Sequence, residues 1–385
     1  MIPRQAAPVL QKLALGYPIL AITGPRQAGK TTLAQTTFPD KRYLSLEDPD
    51  QRAFAEEDPR AFLARLPQGA ILDEAQRCPA LFSYLQTRVD AEKKMGQFVL
   101  TGSQQFGLLS NITQTLAGRV GMVQLLPFSL QEMQRGELAI HDLDDLMWRG
   151  MYPTVHDRQL APEHWFANYL VTYVERDVRQ LIEVQNLSLF QRFIKLCAAR
   201  CGQLLNLSSL ASDCGVSHKT VNAWISVLEA SYVVFLLQPH HQNFGKRLVK
   251  TPKLYFVDTG LAAYLLGIRD PQHLSIHSAR GALFENFVIS ELLKRRYHQG
   301  LPSNLFFWRN NAGDEVDLLI EKGDQLVPVE IKSGQTFTSD FLAGLQKWMR
   351  LAGETCLAPR LVYGGEENMS HSGVLVQSWK AIDAA

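Results

Sequence analysis

Gly24-Pro25-Arg26-Gln27-Ala28-Gly29-Lys30-Thr31 fits the pattern GxxxxGK[ST] at every fixed position. Its surroundings decide the fold. Residues 18–24 form an apolar run ending in glycine, as a buried parallel strand does. Thr31–Thr37 then reads as a helix. A strand, a glycine-rich turn and a helix in that order make a phosphate cradle. The turn's N–H groups point inward, and the helix N-terminus adds partial positive charge. In such a cradle Lys30 reaches the β- and γ-phosphates and the Thr31 hydroxyl ligates Mg²⁺.

Working outward, short apolar runs recur at Arg42–Leu46, Ala70–Leu72, Phe98–Thr101 and Gly121–Leu125. Longer polar segments separate them, the pattern of a βαβ series. Ala70-Ile71-Leu72 ends in Asp73-Glu74. An acid at that strand end suits Mg²⁺ through its water shell (Asp73), and the next orients or deprotonates a water (Glu74). The run Phe98–Thr101 ends in Gly102-Ser103, small polar groups at the edge where open α/β sheets bind ligands. Thr101 or Ser103 either contacts the γ-phosphate or its water, or simply begins a turn. Arg119, just before the next apolar run, has two readings: a finger onto a γ-phosphate, in cis or across a subunit interface, or a surface arginine capping a helix.

With these residues in view, the chain resembles the AAA+-type P-loop ATPases. More narrowly, it resembles bacterial and archaeal ATPases carrying a C-terminal domain of unknown function, whose loop reads Gly-Pro-Arg-Gln-x-Gly-Lys-Thr-Thr, matched here through Thr32. The resemblance extends to Gly150-x-Tyr152-Pro153, Tyr173–Val178 and Phe256–Leu261. It implies ATP with Mg²⁺, adenine in preference to guanine, and Arg119 as the finger. No second sensor arginine in a helical lid is placed.

From Leu126-Pro127-Phe128 to about residue 232 the chain reads as mainly helical, for example Glu163–Ile182 and Leu187–Cys201. Within it, Leu207–Cys214, a turn at Gly215-Val216-Ser217 and a second helix with Val221, Ile225 and Leu228 inward have a helix-turn-helix layout. The outward residues His218, Lys219 and Asn222 become candidate DNA contacts. Tyr232–Gln238 and Lys253–Val257 would form a wing. Its tip, residues 240–253, carries His240, His241, Lys246, Arg247, Lys250 and Lys253 without an acid, a stretch able to neutralise phosphates. The same elements also serve domain packing. Asp258-Thr259-Gly260 reads as a helix cap.

Beyond residue 281 come a helix with Glu285, then β-like runs Leu305–Arg309, Glu315–Glu321 and Leu326–Lys332, a helix near Ser339–Leu351 and a closing strand, Arg360–Tyr363. Alternation separates Val327, Val329 and Ile331 from Glu330 and Lys332. With Asp317 beside them, Asp317 and Glu330 suit Mg²⁺ while Lys332 positions or activates water, a set for phosphodiester cleavage. Helix Glu, strand Asp and Glu-x-Lys resemble the PD-(D/E)xK nucleases, although Val316 stands where proline is usual. That fold also serves as a binding platform that does not cut.

The 385 residues carry 39 Lys+Arg against 38 Asp+Glu, a net charge of +1, so the total charge names no partner. The composition is 46% hydrophobic and 20% charged, and no apolar run spans a bilayer. Five cysteines without a CxxC read as reduced thiols of a cytoplasmic protein. The expectation is an α/β chain in three parts. Residues 1–140 form an AAA+-like parallel-sheet ATPase domain, 141–270 a helical and winged-helix region, and 271–385 a small α/β domain like restriction endonucleases. ATP is the expected ligand, with DNA and a second copy of the chain as candidate partners.

Overall fold

A computed structural model of the chain describes residues 2–384 except 104–107, 109–111, 113, 139, 141, 159, 175–186 and 241–248. Two compact units are present. The first comprises Met1–Phe128 with Ala230–Tyr232 and Arg296–Pro302; the second comprises Ser129–Glu229, Val233–Arg295 and Ser303–Ala385.

The first unit is built on a five-stranded parallel sheet. Its strands are β1 (Ile19–Thr23), β2 (Arg42–Ser45), β3 (Ala70–Asp73), β4 (Phe98–Gly102) and β5 (Val120–Gln124), in the order β2-β3-β4-β1-β5. Alternation along the central strands feeds two cores. Ile19, Ala21, Leu72, Phe98 and Leu100 pack on one face, and Leu20, Ile22, Ile71 and Val99 on the other. Every residue of β1, β3 and β4 is buried, which explains their continuous apolar reading. The order matters for chemistry, because β4 lies between the loop-bearing β1 and the acid-bearing β3. The pairings Ile22↔Thr101 and Ser45↔Asp73 bring the C-terminal residues of the strands to one edge.

The second unit begins with short helices, among them Leu143–Arg149 and Pro162–Tyr169. Tyr152, Trp165, Phe166 and Tyr169 form an aromatic cluster there, with the two tyrosine hydroxyls 3.0 Å apart. The helix Leu187–Ala199 follows, then Leu207–Cys214, a turn at Gly215 (φ +72°) and the helix His218–Ala230. Ser217 caps that last helix by accepting from the Thr220 N–H at 3.1 Å. Val221, Ile225 and Leu228 are buried beneath it.

An antiparallel hairpin, β6 (Val234–Pro239) with β7 (Lys253–Phe256), comes next. It continues into a larger sheet, because β6 pairs in parallel with β8 (Leu305–Arg309) through Gln238↔Phe306. Thereafter β9 (Glu315–Lys322) and β10 (Gln325–Lys332) run antiparallel, and β11 (Arg360–Tyr363) joins β10 in parallel. The expected division near residue 270 therefore falls within the strand set of one eight-stranded sheet, ordered β12-β13-β11-β10-β9-β8-β6-β7. The strands β12 (Met369–His371) and β13 (Val374–Ser378) lie beyond the segment read as the last. Ser372 and Gly373, at φ +52° and +76°, join them in a two-residue hairpin turn. Met-Ser-His carries too little apolar alternation to announce a strand. Asp258 caps the helix Thr259–Leu265 through the N–H groups of Gly260 and Leu261, and it also accepts from the Met151 N–H at 2.7 Å. Among the described residues the five cysteines are unpaired, and no helix is long and apolar enough to cross a membrane.

Candidate nucleotide and carboxylate sites

The loop Gly24–Thr31 joins β1 to the helix Lys30–Thr37. Two of its positions require glycine. Gly24 has φ +145°, and a Cβ there would lie 2.0 Å from the Leu125 carbonyl oxygen; Gly29, at φ +89°, caps the helix in the left-handed region. The Lys30 ammonium is buried inside the loop, donating to the carbonyls of Gly24 (3.0 Å) and Pro25 (2.7 Å). Pro25 and Ala28 are buried, Arg26 is half-buried, and Gln27 and Thr32 are exposed.

The acid end of β3 meets the loop. Asp73 accepts from the Thr31 hydroxyl at 3.1–3.2 Å, from the Thr101 hydroxyl and from the Tyr43 phenol at 2.8 Å. Burial, then the hydrogen bond and charge of Asp73, push the Tyr43 phenol up to about 12. Glu74 sits at φ +53°, uncommon for a residue with a side chain, and its Oε2 accepts from Ser103 at 3.1 Å and from the Gln76 amide. Thr31, Asp73, Glu74, Thr101 and Ser103 thus converge beside the phosphate loop. The Thr31 hydroxyl beside the Asp73 carboxylate is an oxygen-donor pair that fits Mg²⁺.

Arg119 lies elsewhere. Its carbonyl accepts from the Ile19 N–H, which places it where β1 and β5 begin. The phosphate edge is a strand length away, about 13 Å. Its guanidinium pairs with Asp90 at 2.6 Å. A cis contact with the loop of its own chain is excluded by that placement. By contrast, Arg4 reaches the loop unforeseen. It donates to the carbonyls of Ala28 and Leu126, both at 2.7 Å, and stacks 4.9 Å from the Phe128 ring centroid. Tyr43, Gln76 and Arg4 are the groups that motif spacing missed.

In the second unit, Glu285, Asp317, Glu330 and Lys332 converge as the strand order anticipates. Glu285 projects from the helix Arg280–His298. Asp317 on β9 accepts from the Ile331 N–H of β10 at 2.8 Å. Lys332 lies 2.5 Å from Glu330 and 3.8 Å from Asp317. Two further groups arrive on β7. Lys253 donates to Glu285 at 3.0 Å and pairs with Glu315, and the Tyr255 phenol donates to the same Glu285 oxygen.

Burial and neighbouring charge shift six of these groups: Glu285, Asp317, Glu330, Lys253, Tyr255 and Lys332. Burial raises Glu285 and Asp317, and burial with the Asp317 charge pushes Glu330 up to about 8. Burial pulls Lys253 and Lys332 down, but the surrounding carboxylates hold both above the ordinary lysine value. Glu330 is 7% exposed, and its Oε2 is buried without a hydrogen-bond partner. An orphaned carboxylate oxygen beside Asp317 fits a divalent cation held by two carboxylates and water, the habit of Mg²⁺. Among the described residues no three His, Cys, Asp or Glu side chains are grouped to hold a metal ion, so Glu285 does not complete a triad.

The basic wing needs correction. His218, Lys219, Asn222 and Lys250 are exposed. Lys246 and Arg247 lie outside the described residues, as do His241 and Glu175–Val178. Lys253 turns inward to the carboxylates, and His240 is 4% exposed with its Nε2 3.1 Å from Glu321. Neither can neutralise phosphates from the wing. Strand alternation puts Lys253 and Tyr255 together on the face toward Glu285.

An AAA domain model matches residues 16–134, and two domains of unknown function match residues 140–272 (DUF8612) and 280–382 (DUF4143). The Walker-type ATPase PABY2304 of Pyrococcus abyssi is similar in structure. Its TM-score is 0.47 at 14% identity, covering 68% of this chain and 94% of that one. The uncharacterized proteins Rv2008c of Mycobacterium tuberculosis and Mb2031c of Mycobacterium bovis are each 32% identical over 380 residues, 97% of this chain and 82% of theirs. The chain belongs to the family of these two mycobacterial proteins, and its residues 16–134 are an AAA-type ATP-binding and hydrolysing domain.

Proposed function

We propose that the chain is a Mg²⁺-dependent ATP hydrolase whose nucleotide state controls how its C-terminal region engages or cuts DNA. For ATP, the support is the convergence of Lys30, Thr31, Asp73 and Glu74 at one sheet edge. Lys30 and the loop N–H groups hold phosphate, Thr31 and Asp73 hold Mg²⁺, and Glu74, steadied by Ser103 and Gln76, orients the attacking water. Arg119 serves as a finger only across a subunit interface, in a homo-oligomer, after leaving Asp90.

For the C-terminal region, the carrying observation is the orphaned, buried Oε2 of Glu330 beside Asp317 and Lys332. Mg²⁺ bound there supplies a Lewis acid and an acidified water. Asp317 and Glu330 hold the ion, while Lys332 positions the water or the scissile phosphate. The exposed His218, Lys219, Asn222 and Lys250, with Lys246 and Arg247, are the DNA contacts of a winged-helix module.

The test is incubation with single-stranded, duplex and branched DNA, with Mg²⁺ or Mn²⁺ and with or without ATP. Cleavage lost in both Asp317→Ala and Lys332→Ala supports the reading; cleavage unchanged by them refutes it. A second reading is an ATP-dependent switch whose C-terminal region binds without cutting. The ion pairing of Lys253 with Glu285 favours it, because that carboxylate is already compensated. Absence of cleavage on every substrate, with nucleotide-dependent DNA binding intact, selects it.

A further inference from the structure

We infer that the C-terminal carboxylate cluster is a single-ion centre, because the Lys253 ammonium occupies the charge position that a second divalent cation would need. The inference rests on the metal-dependent reading of this cluster and goes beyond it, fixing how many ions the cluster takes and which residue sets that number.

Four carboxylates meet in this region: Glu285, Glu315, Asp317 and Glu330. Their counter-charges divide them into two halves. Lys253 is buried, with 4% of its side chain exposed, and contacts Glu285 at 3.0 Å and Glu315. Arg309 adds a contact to the other Glu315 oxygen at 3.0 Å. Tyr255 donates to the Glu285 oxygen that already faces Lys253. This half carries fixed, buried cationic compensation with a hydrogen-bonding phenol.

The half made by Asp317 and Glu330 differs. Its cation, Lys332, has 35% of its side chain exposed and can swing outward, and one Glu330 oxygen has no donor. A divalent ion can enter here by displacing a solvent-accessible ammonium. At Glu285 it would have to sit against a buried ammonium already held by two carboxylates, and like charges in contact repel strongly in a low-dielectric interior. Lys253 is therefore a positioning residue for metal stoichiometry. It reaches the cluster from the hairpin strand β7, so the same strand that bounds residues 241–252 fixes the charge of the site.

The test uses the full-length, nucleotide-free chain. Isothermal titration with Mn²⁺ counts the sites lost on Asp317→Asn, and electron paramagnetic resonance reports spin coupling between neighbouring Mn²⁺ ions. The wild type should bind one such ion with an uncoupled spectrum. Lys253→Met should bind a second ion with a coupled spectrum, or tighten the first at least ten-fold. Lys253→Arg should stay at one. Should Lys253→Met fail to fold, Lys253→Gln, which keeps a hydrogen-bond donor toward Glu285 and Glu315 without the charge, takes its place with the same expectation of a second, coupled ion. Two coupled ions in the wild type overturn the inference alone, as does a Lys253→Met chain unchanged in number and affinity. No Asp317-dependent Mn²⁺ in the wild type overturns the metal-dependent reading and this inference with it.

Discussion

Asp73 and Asp317 both lie on sheet strands, mostly withdrawn from solvent and close to a second acid, yet the protein compensates them in opposite ways. Asp73 is wrapped in hydroxyls from Thr31, Thr101 and Tyr43, on three different elements. Its neighbour Glu74 is turned aside by a left-handed backbone and held by neutral donors. Asp317 instead shares its surroundings with Glu285, Glu315 and Glu330, and ammonium groups stand between them. Hydroxyls orient a carboxylate while leaving its charge to act on an incoming ion. Ammonium groups cancel that charge, so a site built on them responds to protons and cations before it responds to substrate.

The sharpest break of this contrast is at Lys30. Lys30→Ala removes the loop's buried cation and should lower ATP turnover roughly 100-fold or more, as loss of a preorganised group at a developing charge does. DNA-independent Mn²⁺ binding at Asp317 should be untouched. Steady-state phosphate release and Mn²⁺ titration on the same preparation measure both. Full turnover in the variant would remove the hydroxyl-lined site from the chemistry.

Thr101→Val tests the wrapping itself. It deletes one of three hydroxyl donors to Asp73 at nearly constant shape, leaving the carboxylate under-satisfied by about 1–2 kcal/mol. A fall of roughly ten-fold in kcat is expected, with a smaller change in KM for MgATP, read from initial rates across MgATP concentrations. A loss confined to KM would make Thr101 a structural partner only.

The compensated site yields a pH signature. Burial, then the charge of Asp317, raises Glu330 from 4.5 to about 8. The folded chain therefore holds a proton that the unfolded chain releases above its ordinary carboxylate pKa. The resulting stability is fully present below about 4.5, fades as pH rises, and is gone above about 8. Glu330→Gln should flatten that slope, so the melting temperature of the variant minus that of the wild type should grow between pH 5 and pH 8. Adding Mn²⁺ to the wild type should cancel the difference at the upper end. Parallel melting curves across this range would show that Glu330 ionises normally.

The two sites were also unequally legible. Glycine spacing, the apolar strand before it and the acid at the end of Ala70–Leu72 point to the candidate nucleotide site, because its residues sit at strand ends that the chain order announces. Tyr43, Gln76 and Arg4 escaped. Tyr43 lies on a strand whose first two residues are exposed, and Arg4 reaches Leu126 across more than a hundred positions. No local pattern encodes such contacts. Glu285, Asp317, Glu330 and Lys332 follow from strand order, whereas Lys253, set close after Lys246, Arg247 and Lys250, reads as part of a basic wing. A usable signal existed: Lys253 and Tyr255 alternate with Leu254 and Phe256 on a strand buried on both faces, and a buried lysine demands an acid.

Arg4 gives the smallest effect and the finest test of the contrast. It is a cation at the hydroxyl-lined site, yet the contacts resolved for it there are to carbonyls, tying Ala28 in the loop to Leu126 just after β5, with Phe128 beneath its plane. A guanidinium can bridge two carbonyls at once, whereas an ammonium is a point donor. Arg4→Ala should therefore loosen the loop without altering the charge at the reacting phosphate, raising KM for MgATP about two- to five-fold, within ~1 kcal/mol, and leaving kcat nearly unchanged. Arg4→Lys should behave like the alanine variant, because restoring the charge does not restore the bridge. If Arg4→Lys rescues binding, charge rather than geometry is what the loop requires, and the distinction between an oriented site and a compensated one fails at its own phosphate loop.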